Sequence, residues 1–401
     1  MITKSRTNRI PITEIEQPAF CQTEKELVSK TLEEEFKAKV RWQKLPVSYM
    51  RTSPEELDHN ISVSRKELGE STLILGHHYQ RESIIKFADL RGDSFKLSQY
   101  AATQRSVDNI VFCGVHFMAE TADILSAPNQ NVILPNLAAG CSMADMAETE
   151  DVKDCWSDLL DIVGKDVVTP VTYMNSTAAI KALCGKNEGI VCTSSNASAT
   201  FEWAYEKSAK VLFLPDQHLG RNTGLMMGLS LSDMIIWDPF KPLGGNSEES
   251  ITKAKLILWK GHCSVHTRFT VEQIEEARKS HPNVKVVVHP ECTQEVVKAS
   301  DYCGSTEYIK DTIYSAPANT TWAVGTEVSL VNRIATENID KNVFCLDPVV
   351  CPCSTMYRIH PAYLSWVLDG LIEGIVVNPI RVGGETREHS RIALNRMLEI
   401  A

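Results

Sequence analysis

The residues of this 401-residue chain most able to do chemistry together recur at one spacing. His77 is followed by Ser94 after 17 residues and by Cys141 after 47 more. His289 is followed by Thr306 after 17 and by Cys353 after 47 more. A looser copy lies between them: Tyr173, Ser194 and Cys263. Three repeats that each supply a ring, a hydroxyl and a thiol would bring three thiolates to one point. Soft sulfur ligation suits zinc or a [4Fe–4S] cluster. With only three ligands, one metal position stays open for water or substrate, the mark of a catalytic site. None of the three thiols belongs to a C-x-x-C pair, so an ordinary zinc finger or ferredoxin motif is excluded.

Cys351 and Cys353 compete for the third position, and the 47-residue register selects Cys353. Cys351 reads as a spare thiol. Cys113, Cys192 and Cys345 lie inside apolar runs and read as core. Residues 1–19 lack the apolar stretch of a secretory signal. A cytoplasmic protein is therefore expected, and its twelve cysteines are not expected to form disulfides.

The elements that must position these groups are legible as short apolar runs alternating with helical stretches from about Glu70 onward. The runs are STLILGHHY, NIVFCGVHF, NVILPNL, DVVTPVTYMN, GIVCTSS, KVLFLPD, KLILWKGHC, VKVVVHPE, TTWAVGTE and KNVFCLDPVV. Strands buried on both faces of a parallel sheet have this pattern. Each run ends in Gly, Pro, His or Asn, which puts polar side chains at the C-terminal strand ends, where open α/β sheets bind ligands. The expected fold is α/β, with three similar small Rossmann-like domains about a pseudo-threefold axis and a central active site. The expected boundaries are a helical extension over 1–60 and repeats over 61–155, 156–265 and 266–358. Helices over 359–401 pack back on the core. The middle repeat carries an insertion near 221–250. Within the extension, Glu24–Trp42 reads as one amphipathic helix with Leu27, Leu32, Phe36 and Val40 on one face.

His77, Tyr79, Ser94, Tyr173, Asn175, Ser194, His289, Glu291 and Thr306 supply donors for carboxylate or phosphate. Tyr79 and Glu291 are candidates for proton transfer. The GDS and GST turns put a hydroxyl at a helix start, as an anion site or as a plain cap. No G-x-x-x-x-G-K-[ST] and no G-x-G-x-x-G after a strand occurs, which removes the main support for ATPase and dinucleotide-dehydrogenase readings. A net charge of −10 argues against nucleic acid as a partner. No run of 18 apolar residues suggests a membrane span.

From His77 to about Met397 these motifs resemble the quinolinate synthase family. The resemblance rests on GHHYQ, GDS, GVHFMAETA, GCSMAD, TYMNSTAAIKA, CTSSNA, PDQHLGRNTG, GHCSVH, HPE, GST, CSTM and LNRML, in that order. It implies a transferase of NAD biosynthesis, with iminoaspartate and dihydroxyacetone phosphate as substrates and quinolinate, phosphate and two waters as products. L-aspartate oxidase or aspartate dehydrogenase is implied as the source of iminoaspartate. Cys141, Cys263 and Cys353 are implied as ligands of one [4Fe–4S] cluster acting as a Lewis acid. Tyr79, Glu291 and His289 are implied as catalytic. His77, Ser94, Tyr173, Met174, Asn175, Ser194, His289, Pro290, Glu291 and Thr306 are implied to bind substrate. The motifs depart from shorter relatives in the 60-residue extension, in the insertion after PDQHLG, and in CPCSTM in place of a C-x-x-C-x-x-C run. A zinc-dependent aldolase or hydrolase and a non-catalytic iron–sulfur redox sensor are the competing readings of the same thiols.

Overall fold

The computed structural model describes residues 16–22, 27 and 29–400. In chain order its strands are β1 (Thr72–His77), β2 (Leu90–Gly92), β3 (Asn109–Cys113), β4 (Asn131–Ile133), β5 (Val168–Tyr173), β6 (Ile190–Cys192) and β7 (Lys210–Leu214). They continue with β8 (Met234–Trp237), β9 (Leu256–Trp259), β10 (Lys285–Val288), β11 (Tyr302–Cys303), β12 (Thr321–Gly325), β13 (Asn342–Cys345) and β14 (Pro379–Ile380). The fold is α/β with three sheets dominated by parallel pairing.

The chain forms two compact units, Met1–Cys141 with Thr326–Val382, and Ser142–Gly325 with Gly383–Ala401. In the first, the order is β2-β1-β3-β4-β14, with only β14 antiparallel. In the second, one sheet runs β6-β5-β7-β9-β8, all parallel. Another sheet there contains β11-β10-β12, also parallel. All three sheets thus share one local order, in which the first strand of the repeat is flanked by the second and the third. That order buries β1, β5 and most of β10 between neighbours. Their C-terminal ends carry His77, Tyr173 and His289.

All ten apolar runs form strands. The four strands without such a run are β2, β8, β11 and β14, and each lies at a sheet edge. Edge strands have one open side, and these four are only partly buried, so an apolar run is not required of them. β8 lies in the 221–250 insertion and adds an edge strand to the middle sheet.

Helix starts follow from side-chain caps. Asp93 accepts from the Lys96 amide at 2.8 Å and starts the helix Ser94–Thr103. Ser305 accepts from the Tyr308 amide at 3.3 Å and starts Thr306–Tyr314. Ser94 and Thr306 are therefore the first helical residues, and their neighbours do the capping.

At the C-terminus, the helix Gly384–Ile400 packs on Ala178–Lys186. A Cβ on Gly185 would lie 1.9 Å from the His389 carbonyl oxygen, so only glycine permits this approach. Ser390 Oγ donates to the Ala178 carbonyl at 2.7 Å across the same contact. In the first unit, the helix Pro361–Ile372 buries Ala362 and Tyr363 against Leu32 and Leu57 of the N-terminal region.

Two expectations fail in that region. Where residues of Glu24–Trp42 are described, the helix is only Leu32–Glu35; residues 23–26 and 28 lie outside the described residues. A capping box between Thr31 and Glu34 starts it. The chain then folds back, so that Phe36 stacks on Trp42 with centroids 5.0 Å apart. Residues six apart face away from each other on a helix, so this stack requires the helix to end. The second failure is Cys21 with Cys351, which form a disulfide. Cys345 also differs from its reading as core, being partly exposed at the end of β13. None of the described helices is long and apolar enough to cross a membrane.

Candidate active site

In the first unit, His77 ends β1 and the backbone then turns. The Tyr79 amide donates to His77 Nδ1 at 3.1 Å. An Nδ1 that accepts leaves the proton on Nε2, so this turn fixes the tautomer. The Tyr79 hydroxyl lies 2.8 Å from Thr326 Oγ1. Arg333, buried, donates to the carbonyls of His78 at 3.0 Å and Gln80 at 2.7 Å, which fixes the GHHYQ turn. Thr326 and Arg333 went unseen in the sequence because they come from the GTE segment and its helix, some 250 residues further on.

Cys141 and Cys353 are both partly exposed, each in a loop beyond a strand. The Cys353 amide donates to Glu327 Oε1 at 3.2 Å. Burial pushes the Glu327 carboxyl up to about 7, against the pull of the amide donors of Cys353, Ser329 and Leu330. Burial likewise pushes the Cys353 thiol up. Cys351 is committed to the disulfide with Cys21, so Cys353 is the free thiol of the C-P-C pair.

In the second unit, the same turn recurs. His289 follows β10, and the Glu291 amide donates to its Nδ1 at 3.3 Å. His289 Nε2 then faces Ser194 Oγ at 3.2 Å as the donor. Burial lowers His289 to about 3, with His266 adding to the shift, so the ring is neutral at ordinary pH. His266 stacks on it with centroids 4.5 Å apart.

Glu291 is buried at 3% exposure, which by itself would raise its carboxyl. His266 and His289 beside it, with hydrogen bonds from His266 and Tyr173, outweigh that and hold it well below the usual carboxylate range. His266 Nδ1 lies 2.8 Å from Oε2, and the Tyr173 hydroxyl donates to Oε1 at 2.6 Å. Donor atoms of Cys263, His266 and Glu291 all lie within 4.8 Å of one another. Cys263, partly exposed, follows β9 and precedes the single turn His266–Arg268.

Three further side chains shape this half. Lys181, fully buried, donates Nζ hydrogen bonds to the carbonyls of Met174 at 2.8 Å and Ser176 at 2.5 Å, fixing the turn that carries Asn175. Asn222 donates to the carbonyls of Pro290 and Cys292, each at 2.8 Å. Asp216 caps Asn222's helix through Oδ1 and leaves Oδ2 buried without a hydrogen-bond partner. Both residues belong to PDQHLGRNTG, a motif of the resemblance, and Asp216 also ends the KVLFLPD run. A cavity of about 200 Å³ is lined by Ser194, Ser195, Pro290, Gly304 and Ser305. The buried Thr306 Oγ1 has no hydrogen-bond partner. Thr306 follows Ser305 of that lining, and a buried hydroxyl without a partner is the kind of exception that a bound ligand satisfies.

The family model of the quinolinate synthetase A protein, NadA, matches residues 59–399. A quinolinate synthase of Corynebacterium glutamicum is 54% identical over 360 residues, covering 90% of this chain and 91% of that protein. Those of Acidobacterium capsulatum and Bacillus cereus strain ZK are 52% and 49% identical over 355 residues each, 88% of this chain in both cases and 95% and 96% of theirs. With the match running through every strand and every residue of both half-sites, the chain belongs to the quinolinate synthase family of enzymes.

Proposed function

We propose that the protein condenses iminoaspartate with dihydroxyacetone phosphate to give quinolinate, phosphate and two waters, as a cytoplasmic transferase of NAD biosynthesis. An L-aspartate oxidase or aspartate dehydrogenase supplies the iminoaspartate. The observation that carries this reading is Glu291, an ionised buried carboxylate held by Tyr173 and His266 beside a neutral imidazole. Building an aromatic ring from these substrates requires protons to leave carbon and reach departing hydroxyls. An ionised carboxylate accepts the first kind, and the Tyr79 phenol is the acid in this reading.

The remaining side chains bind and orient. His289 presents a fixed Nε2–H, and Ser194 and Thr306 present hydroxyls, to the carboxylates and phosphate of the substrates. His77, Ser94, Tyr173, Met174, Asn175 and Pro290 complete the binding set. The donor chemistry fits a [4Fe–4S] cluster held by Cys141, Cys263 and Cys353. All three lie outside the Cys21–Cys351 disulfide and are partly exposed in loops beyond strands, whereas Cys113, Cys155, Cys184, Cys192 and Cys292 are buried, and Cys303 and Cys345, also partly exposed, lie within strands. When bound by three thiolates, such a cluster supplies one open iron as a Lewis acid.

The test is quinolinate formation by anaerobically iron-loaded protein given dihydroxyacetone phosphate and enzymatically generated iminoaspartate. Quinolinate appearing only when both substrates are present supports the reading. Iron-loaded protein that forms none overturns it, and a colourless zinc protein would favour an aldolase or hydrolase.

A further inference from the structure

Residues 16–22 lie outside the part of the chain that the family model matches, yet they are fastened to the loop carrying Cys353 in four ways. Cys21 and Cys351 form a disulfide with Cα atoms 4.1 Å apart. Gln22 and Val350 exchange two backbone hydrogen bonds, at 2.9 and 3.0 Å. The Phe20 ring packs on Tyr357 with centroids 4.8 Å apart. Glu16 Oε2 accepts from Arg358 Nη2 at 2.5 Å, with Glu16 4% and Arg358 0% exposed.

Arg358 also joins two cysteine loops. Its Nη1 donates at 3.2 Å to the carbonyl of Ala138, three residues before Cys141. Its own carbonyl accepts from Asn136 Nδ2 at 2.9 Å. A guanidinium buried without a counter-charge is costly, and Glu16 supplies the charge. The bridge between the Cys141 and Cys353 loops is thus completed by the N-terminal segment.

We propose that Glu16–Gln22 is a positioning strap for these two loops, closed by the Glu16–Arg358 pair and locked by the Cys21–Cys351 disulfide. This rests on the reading of Cys141 and Cys353 as cluster ligands. The lock closes by exchange with a small-molecule disulfide. One sulfur–sulfur bond forms in the protein as one breaks in the oxidant, and two electrons and two protons leave as two small thiols. A dithiol reverses the exchange. The strap sets how firmly iron is retained and touches no substrate.

The test uses the full iron-loaded chain, native and with Cys21→Ser or Glu16→Gln. Peptide mapping without reductant reads the lock, and transfer to a ferrous chelator reads iron release. Native protein should yield the linked Cys21–Cys351 peptide. Cys21→Ser should release iron about tenfold faster, as loss of an outer support of metal ligands does. A dithiol should bring native protein to that rate and leave Cys21→Ser unchanged. Glu16→Gln should also accelerate release with the link intact. No linked peptide, or native release rates in both variants, would overturn the strap. A native chain that binds no iron would overturn the cluster reading instead. Tryptic cleavage after Arg358 then decides: faster cutting in Cys21→Ser supports the strap, and equal cutting refutes it.

Discussion

The strand ends at His77 and at His289 are built alike and behave differently. In both, the amide two residues on donates to Nδ1 and fixes the ring as the Nε2–H tautomer. At the first, the residue supplying that amide is Tyr79, whose hydroxyl meets the neutral Thr326. At the second it is Glu291, which meets Tyr173 and His266. One backbone device thus presents a weak acid in one unit and an ionised base in the other. The repeat fixes where a side chain stands, and the neighbours it meets fix what it does.

The largest expected effect comes from removing the difference in charge. Glu291→Gln keeps the shape and deletes the base, so kcat should fall by about a thousandfold, within the span that general bases contribute. An unchanged kcat in the quinolinate assay would remove Glu291 from the chemistry. Next comes the support of that charge. His266→Phe keeps the stack on His289 but withdraws the contact to Oε2, and kcat should drop by about tenfold to a hundredfold, as for the loss of a hydrogen bond to a charged group. The acid limb of the pH profile should move upward with it, because the carboxylate loses a partner that lowers it.

Tyr79→Phe deletes only the hydroxyl facing Thr326 and tests the other strand end, with an expected loss of about tenfold in kcat, the equivalent of one ordinary hydrogen bond at the upper end of its usual range, and little change in KM. Asn222→Ala is milder: it frees the carbonyls of Pro290 and Cys292 and should raise KM by about fivefold, the equivalent of about 1 kcal/mol, the contribution of an ordinary hydrogen bond.

A last expectation concerns stability, not activity. Burial lowers His218 to about 4 and His289 to about 3 in the second unit, and His360 to about 4 in the first. Unfolded histidine titrates near about 6.5. The unfolded chain therefore binds more protons than the folded one as pH falls below that value. The stability these rings contribute is present above 6.5 and lost on the way down toward 4. Melting temperatures measured from pH 7 to 4.5 should fall, and His289→Asn should flatten the decline.

The sequence alone determined the α/β class, the apolar interior strands and the half-site positions. Buried parallel strands demand unbroken apolar runs, and a repeat with one spacing must repeat one geometry. Edge strands such as β8 and β11 left no such mark, because half their surface is open. The register in the sequence pointed to Cys353; the fold pairs Cys351 with Cys21 and leaves Cys353 outside that disulfide. Only the tertiary structure could decide that pairing, the grip of His266 and Tyr173 on Glu291, and the bond from Tyr79 to Thr326. These pairs lie from 25 positions apart, for His266 and Glu291, to 330, for Cys21 and Cys351, and local pattern carries no signal over such ranges.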